Sequence, residues 1–199
     1  YGMPAPYSTR QEIFIDFLPV NDYIASGAWQ IILAGNRVVD GRYDLWLPGG
    51  GVLNSGTGFT RPSAQATMTI PATASRVITI GAYDARTFTY ADFSGRGPAD
   101  ENTFWETAKP DLVAPGVAVR SMAAGGGYGE YTGTSFAVPF ATGSAALLME
   151  WGIIKGNDPY LYGEKVKAYL RRGAQPLQGY EVYPNEEVGW GEDVIIRLH

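Results

Sequence analysis

Gly133-Thr134-Ser135-Phe136-Ala137-Val138-Pro139 is the stretch on which the reading of this chain turns. It sets a serine between a glycine-led turn and an apolar run. Ala137, Phe140, Ala141, Ser144, Ala145, Leu148 and Met149 recur at three and four residues, which predicts a helix over 135–151. Gly152 stands just past it as a C-cap, and Pro139 is expected in the first turn, where a missing N–H costs little. A helix N-terminus leaves backbone N–H groups unpaired and carries partial positive charge. A hydroxyl placed there sits beside donors for the oxyanion that forms when it attacks an amide, and Gly133 permits close approach of a substrate. The same placement has a plainer use, since serine and threonine are preferred N-caps. For Gly-Thr-Ser alone, capping is the simpler reading.

Upstream, Arg76-Val77-Ile78-Thr79-Ile80-Gly81-Ala82 is a nearly continuous apolar run, as expected of a strand buried on both faces. A second short run, Asp111-Leu112-Val113-Ala114, stops at Pro115-Gly116, and 117–121 resumes an extended pattern before a glycine-rich stretch over 125–129. Downstream, 162–171 reads as a second helix with Gly173 after it. Strands alternating with helices give α/β character to residues 73–199. Residues 10–72 read differently. The segments 12–17, 29–33 and 43–47 alternate or run apolar with β-branched and aromatic residues, separated by Ser26-Gly27, Gly35-Asn36, Asp40-Gly41 and Pro48-Gly49. That spacing predicts an antiparallel β-sandwich.

The heptapeptide at 133–139 resembles the nucleophile motif of the subtilisin family, Gly-Thr-Ser-x-Ala-x-Pro, with every fixed position matched. The resemblance extends to Val77–Ala82, to Phe93-Ser94-Gly95-Arg96-Gly97-Pro98 and to Lys109-Pro110-Asp111-Leu112-Val113-Ala114-Pro115-Gly116, in the family's order. It implies an α/β fold, the C-terminal part of a subtilisin-like parallel-sheet domain. It also implies a serine endopeptidase function, with Ser135 as nucleophile, its own N–H as an oxyanion donor, Thr134 in support, and Tyr128 to Gly133 bordering the cleft. Subtilases order their triad Asp, His, Ser, and no histidine precedes Ser135. The triad partners are therefore expected in a missing N-terminal part of the same protein, in keeping with Tyr1 in place of an initiator methionine, and this chain alone is expected to be inactive. Residues 10–72 are similar to the jelly-roll insert of clostridial subtilases, among them the spore-germination proteases. That subgroup implies a secreted or spore-associated bacterial protein. The implied partner is a peptide or protein substrate, with no cofactor. Half of a parallel sheet leaves an open edge, so pairing with a second copy is one expected way to cover it. The alternative is a degenerate, non-catalytic scaffold that binds protein partners.

Composition bounds the rest. A formal charge of −5 with interspersed acids and bases offers no basic stripe for a phosphate backbone, and the absence of cysteine excludes disulfides, thiolate zinc sites and a cysteine nucleophile. No apolar run is read as approaching the ~20 residues that span a bilayer. The one histidine, His199, could be grouped with Asp193 and Ser135, but that order belongs to a Gly-x-Ser-x-Gly elbow and position 137 is alanine. His199 reads instead as a chain end. Ala34-Gly35-Asn36 matches the family's Ala-Gly-Asn oxyanion sequence, yet Asn36 reads better as a hairpin turn between strands. Trp29, Tyr43 and Trp46 could form a sugar platform, with core packing the simpler use. Asp84, Asp92 and Asp100 lack the spacing of a dedicated calcium loop, and no metal is assigned.

Overall fold

The computed structural model describes residues 12–39, 41–49, 51–98 and 108–193, in two compact units, Tyr1–Ser55 and Gly56–His199. In the second unit, β1 (Ile80–Asp84) lies between β2 (Thr89–Tyr90) and β3 (Leu112–Pro115). It pairs antiparallel with β2 and parallel with β3, with Ile80 opposite Leu112 and Tyr83 opposite Pro115. The continuous apolar run of β1 follows from this central place, since both of its faces are covered. The outer edge of β3 is closed by the segment at 191–193: the Val113 N–H donates to Gly191 at 3.0 Å and the Asp193 N–H to Val113 at 2.8 Å. The glycine-rich stretch forms a tight turn between β4 (Val119–Met122) and β5 (Tyr128–Tyr131), an antiparallel pair. Gly125, Gly126 and Gly127 all take positive φ there.

Helix α1 (Thr134–Met149) continues into a π-helical turn (Glu150–Ile154), and α2 is Gly163–Gly173. Ala137, Ala141, Ser144 and Leu148 form the buried stripe of α1, and its Ala137, Ala141 and Leu148 share a core with Ile80, Leu112 and Leu170. The run Thr134–Ile154 is 21 residues long and, by length and composition alone, apolar enough to cross a membrane. This corrects the expectation that no such run exists. The short apolar residues that let α1 pack closely raise its hydropathy, and only Glu150 is charged. A second correction concerns Pro139, which is the sixth residue of α1 rather than part of its first turn. The N–H it lacks is the one that would reach the carbonyl of Ser135.

One buried carboxylate ties these pieces together. Asp111, fully buried, accepts the Thr79 N–H at 2.7 Å and Lys109 Nζ at 2.9 Å on Oδ2. Its Oδ1 takes Arg171 Nε at 2.8 Å, the Arg171 Nη2, and Lys167 Nζ at 3.0 Å. Burial pushes the Asp111 carboxyl up, but the Thr79 N–H and the Lys109 and Arg171 charges outweigh it and hold the group below its ordinary 3.8. Farther along, the Gly116 N–H donates to the Tyr83 carbonyl at 3.0 Å, and the Gly116 carbonyl accepts the Gly133 N–H at 2.8 Å. A Cβ on Gly116 would lie 2.6 Å from Ala82 Cβ and 3.1 Å from the Gly133 oxygen, so only glycine lets β1, the end of β3 and the start of α1 meet.

The expected sandwich is not seen among the described residues of the first unit. Among its described residues the only β-bridge is that between Val20 and Tyr23, and the segments read as strands form no β-ladder. An extended segment becomes a strand only when a neighbouring strand satisfies its N–H and C=O groups, and no such ladder forms among the described residues of this unit. Trp29, Tyr43 and Trp46 are 61%, 67% and 65% exposed, against the expectation that they pack a core. Phe17 and Trp29 meet edge to face at 5.1 Å. Residues 56–72 belong to the second unit, where the Ala66 N–H donates to Gly97 and the Thr67 N–H to Arg96, each at 3.0 Å.

Two substitutions test this framework. Asp111→Ala strands two buried lysines and the half-buried Arg171, and is expected to cost about 3–5 kcal/mol in urea unfolding followed by circular dichroism. Because folding lowers the Asp111 pKa, its contribution is complete above 3.8 and is lost as pH falls through the lower folded value, so unfolding below that pH should ease in the wild type but not in the variant. Gly116→Ala is expected to cost about 1–3 kcal/mol through overpacking, read by the same method.

Candidate active site

Ser135 is the second residue of α1 and is exposed. It is not an N-cap. That position belongs to Gly133, at φ 150° and ψ 158°, and no side chain caps this helix end. Glycine is required there because L side chains rarely adopt that φ. The capping account of Gly-Thr-Ser therefore does not describe what this serine does.

The N–H groups at the start of α1 can be accounted for one by one. Gly133 donates to Gly116 at 2.8 Å and Phe136 to Gly133 at 3.0 Å. The Thr134 and Ser135 N–H groups have no acceptor among the described residues and face the exposed end of the helix, and no acidic residue sits in that first turn to offset its positive end. The serine hydroxyl thus stands beside two free donors at the positive end of a 16-residue helix. A group positioned so can stabilise negative charge developing on a carbonyl oxygen attacked by Ser135.

Around the serine, β5 leads from Tyr128 to Tyr131 and delivers the chain into Gly133. The Tyr131 ring stacks on Phe136 at 5.1 Å, and Thr132 Oγ1 accepts the Ala118 N–H at 3.0 Å. Thr134 is half-buried beneath this turn. The sequence reading named Thr134, Gly133 and Ser135, and the structure brings them together at one helix end. It missed Gly116, whose carbonyl holds Gly133 in place. The Pro115-Gly116 turn was the available signal, but its partner lies 17 residues away and only the fold supplies it.

Other candidates fall elsewhere. Asp193 accepts from Ser144 Oγ at 2.9 Å, nine residues along α1 from Ser135, about 13 Å at ~1.5 Å per residue. Burial raises its carboxyl above the ordinary value, with the Ser144 bond opposing. Asp193 is thus committed to the far part of the helix, and His199 lies outside the described residues. Asn36 is in the first unit, at a bend whose flanking segments do not pair. Asp84 is held by Arg86 at 3.0 Å, Asp92 is exposed, and Asp100 lies outside the described residues. Among the described residues no side chain hydrogen-bonds the Ser135 hydroxyl, and none is a histidine.

Comparison with known proteins accords with this geometry. Serine protease AprX of Bacillus subtilis (strain 168) is 32% identical over 136 residues, which cover 58% of this chain and 28% of that protein. The structure of the Clostridium perfringens CspB protease superposes with a TM-score of 0.67 at 43% identity, covering 72% of this chain and 30% of that one. The structure of the prenylagaramide maturation protease PagA gives 0.53 at 29%, covering 66% and 44%. The chain thus spans less than a third of the length of AprX and of CspB. The sequence pattern of the subtilase family matches residues 8–191, nearly the whole chain, and the chain belongs to that family.

Proposed function

We propose that this chain is the nucleophile-bearing part of a subtilisin-like serine endopeptidase. Ser135 Oγ attacks a peptide carbonyl, the Ser135 N–H donates to the resulting oxyanion, and the acyl-enzyme is then hydrolysed. The base that takes the serine proton and the aspartate that orients it come from residues outside this chain. The observation that carries this reading is the unpaired N–H of Ser135 at an uncapped helix end, beside an exposed hydroxyl with no other task. Without a base the hydroxyl stays a poor nucleophile, so the 199-residue chain by itself turns over little or no substrate.

The remainder of the same protein is the natural cover for the exposed sides of α1. Val138 and Met149 on one side of the buried stripe, and Phe140 and Leu147 on the other, are exposed, and a helix apolar on several sides belongs inside a larger body. Residues 10–72 fit the same account as part of an inserted β-sandwich. Their alternating segments present Phe14, Trp29 and Trp46 outward, and those faces need opposing strands.

Fluorophosphonate labelling tests the reading, applied to the full-length parent and to this chain, each beside its Ser135→Ala version, with mass spectrometry locating the adduct. The expected result is an adduct on Ser135 in the parent and little or none in this chain. A folded, mature parent that stays unlabelled would overturn the catalytic reading in favour of a protein-binding scaffold.

A further inference from the structure

The Asp111 cluster is out of electrical balance. Lys109, Lys167 and Arg171 all converge on one carboxylate, and the two lysines are 5% and 7% exposed. Three positive charges against one negative leave an excess in a region poor in water, where uncompensated charge is costly. Arg171 cannot relieve it, since a guanidinium does not deprotonate in proteins, and its plane also stacks on Trp190 at 3.9 Å. Relief must come from a lysine.

The geometry distinguishes the two. Among the described residues Lys109 is the only cation on Asp111 Oδ2, and it also donates to the Val77 carbonyl and Thr79 Oγ1, each at 2.8 Å. Lys167 meets Oδ1, an oxygen already held by both Arg171 donors. Besides that contact, it donates to the carbonyls of Ser75 at 2.7 Å and Val77 at 2.9 Å. A neutral amine keeps two N–H groups, enough for both carbonyls. Lys167 can therefore give up the proton that faces Asp111 Oδ1 without releasing the 75–77 segment, while Oδ1 keeps both Arg171 donors.

We propose that the Asp111 cluster is a pH-graded tie in which Lys167 gives up its proton on the alkaline side, and that the second unit is held more firmly after this release than before it. Burial pushes Lys167 down to about 8 from an ordinary 10.5, with the Asp111 charge opposing and Lys109 and Arg171 adding to the fall. Glu164, three residues earlier on α2, pairs with Arg76 at 3.4 Å in the exposed layer. Between the folded and unfolded values the unfolded chain binds more protons, so stability rises with pH across that window. Below it, the full excess of charge remains and the tie is at its weakest.

The test uses this chain with ¹³C-labelled lysine. One lysine side-chain resonance, absent from Lys167→Met, is expected to titrate near pH 8, while exposed lysines titrate about two units higher. From pH 7.5 to 10 the wild-type Tm is expected to gain on the order of 5 °C relative to Lys167→Met, which has no proton to shed. Lys167→Arg keeps its charge throughout and should lose the same rise, so it decides the matter should the methionine variant fail to fold. A Lys167 resonance titrating near 10.5, or wild-type and variant curves that run parallel over the window, would overturn the proposal.

Discussion

The buried carboxylate of Asp111 is the constraint from which the second unit follows. Its oxygens gather the backbone at Thr79, the Lys109 side chain and two residues one turn apart on α2. These come from three segments distant in sequence. Breaking a buried ion cluster by removing its centre is far more costly than never having built it, so every segment bound to Asp111 is held to its place. The register of β1 against β3 is held from the same point, because Asp111 directly precedes Leu112, the partner of Ile80, and Thr79 directly precedes Ile80.

From that register the position of the serine descends by short steps. β3 ends at Pro115, Gly116 bridges Tyr83 of β1 to Gly133, and Gly133 begins α1 in a conformation reserved for glycine. Each step is a backbone hydrogen bond near 3 Å with no flexible side chain between. Pro139 adds to this end of α1, since the N–H it lacks leaves the Ser135 carbonyl without its intrahelical donor. The result is an exposed hydroxyl beside N–H groups that have no acceptor among the described residues, the arrangement on which the proposed nucleophile rests.

The first unit illustrates the opposite case. Its segments carry β-branched and aromatic residues in alternation, yet among the described residues they form no β-ladder, and Phe14, Trp29 and Trp46 are exposed. Alternation states which face of a strand is meant to be covered but does not supply the cover. Helices such as α1 satisfy their backbone internally and form from a continuous stretch. Strands depend on whatever lies beside them.

Sequence alone determined a good deal about this protein. The period of small residues after Ser135 marked α1, the apolar run near Ile80 marked β1, and the Pro-Gly and triple-glycine turns marked the ends of β3 and the hairpin tip, because each is a local property of backbone and side chain. The heptapeptide at 133–139 also named the candidate serine. Sequence could not say whether that serine caps a helix or stands free of it, because the answer depends on which residue takes the N-cap conformation, and that depends on Gly116 reaching Gly133 from 17 residues away. Nor did it show that Lys109, Asp111, Lys167 and Arg171 form one buried cluster, since charges far apart along a chain look like solvated surface until the fold brings them together. Periodicity is written into neighbouring residues, whereas hydrogen bonds and ion pairs between distant segments exist only once the chain has closed on itself.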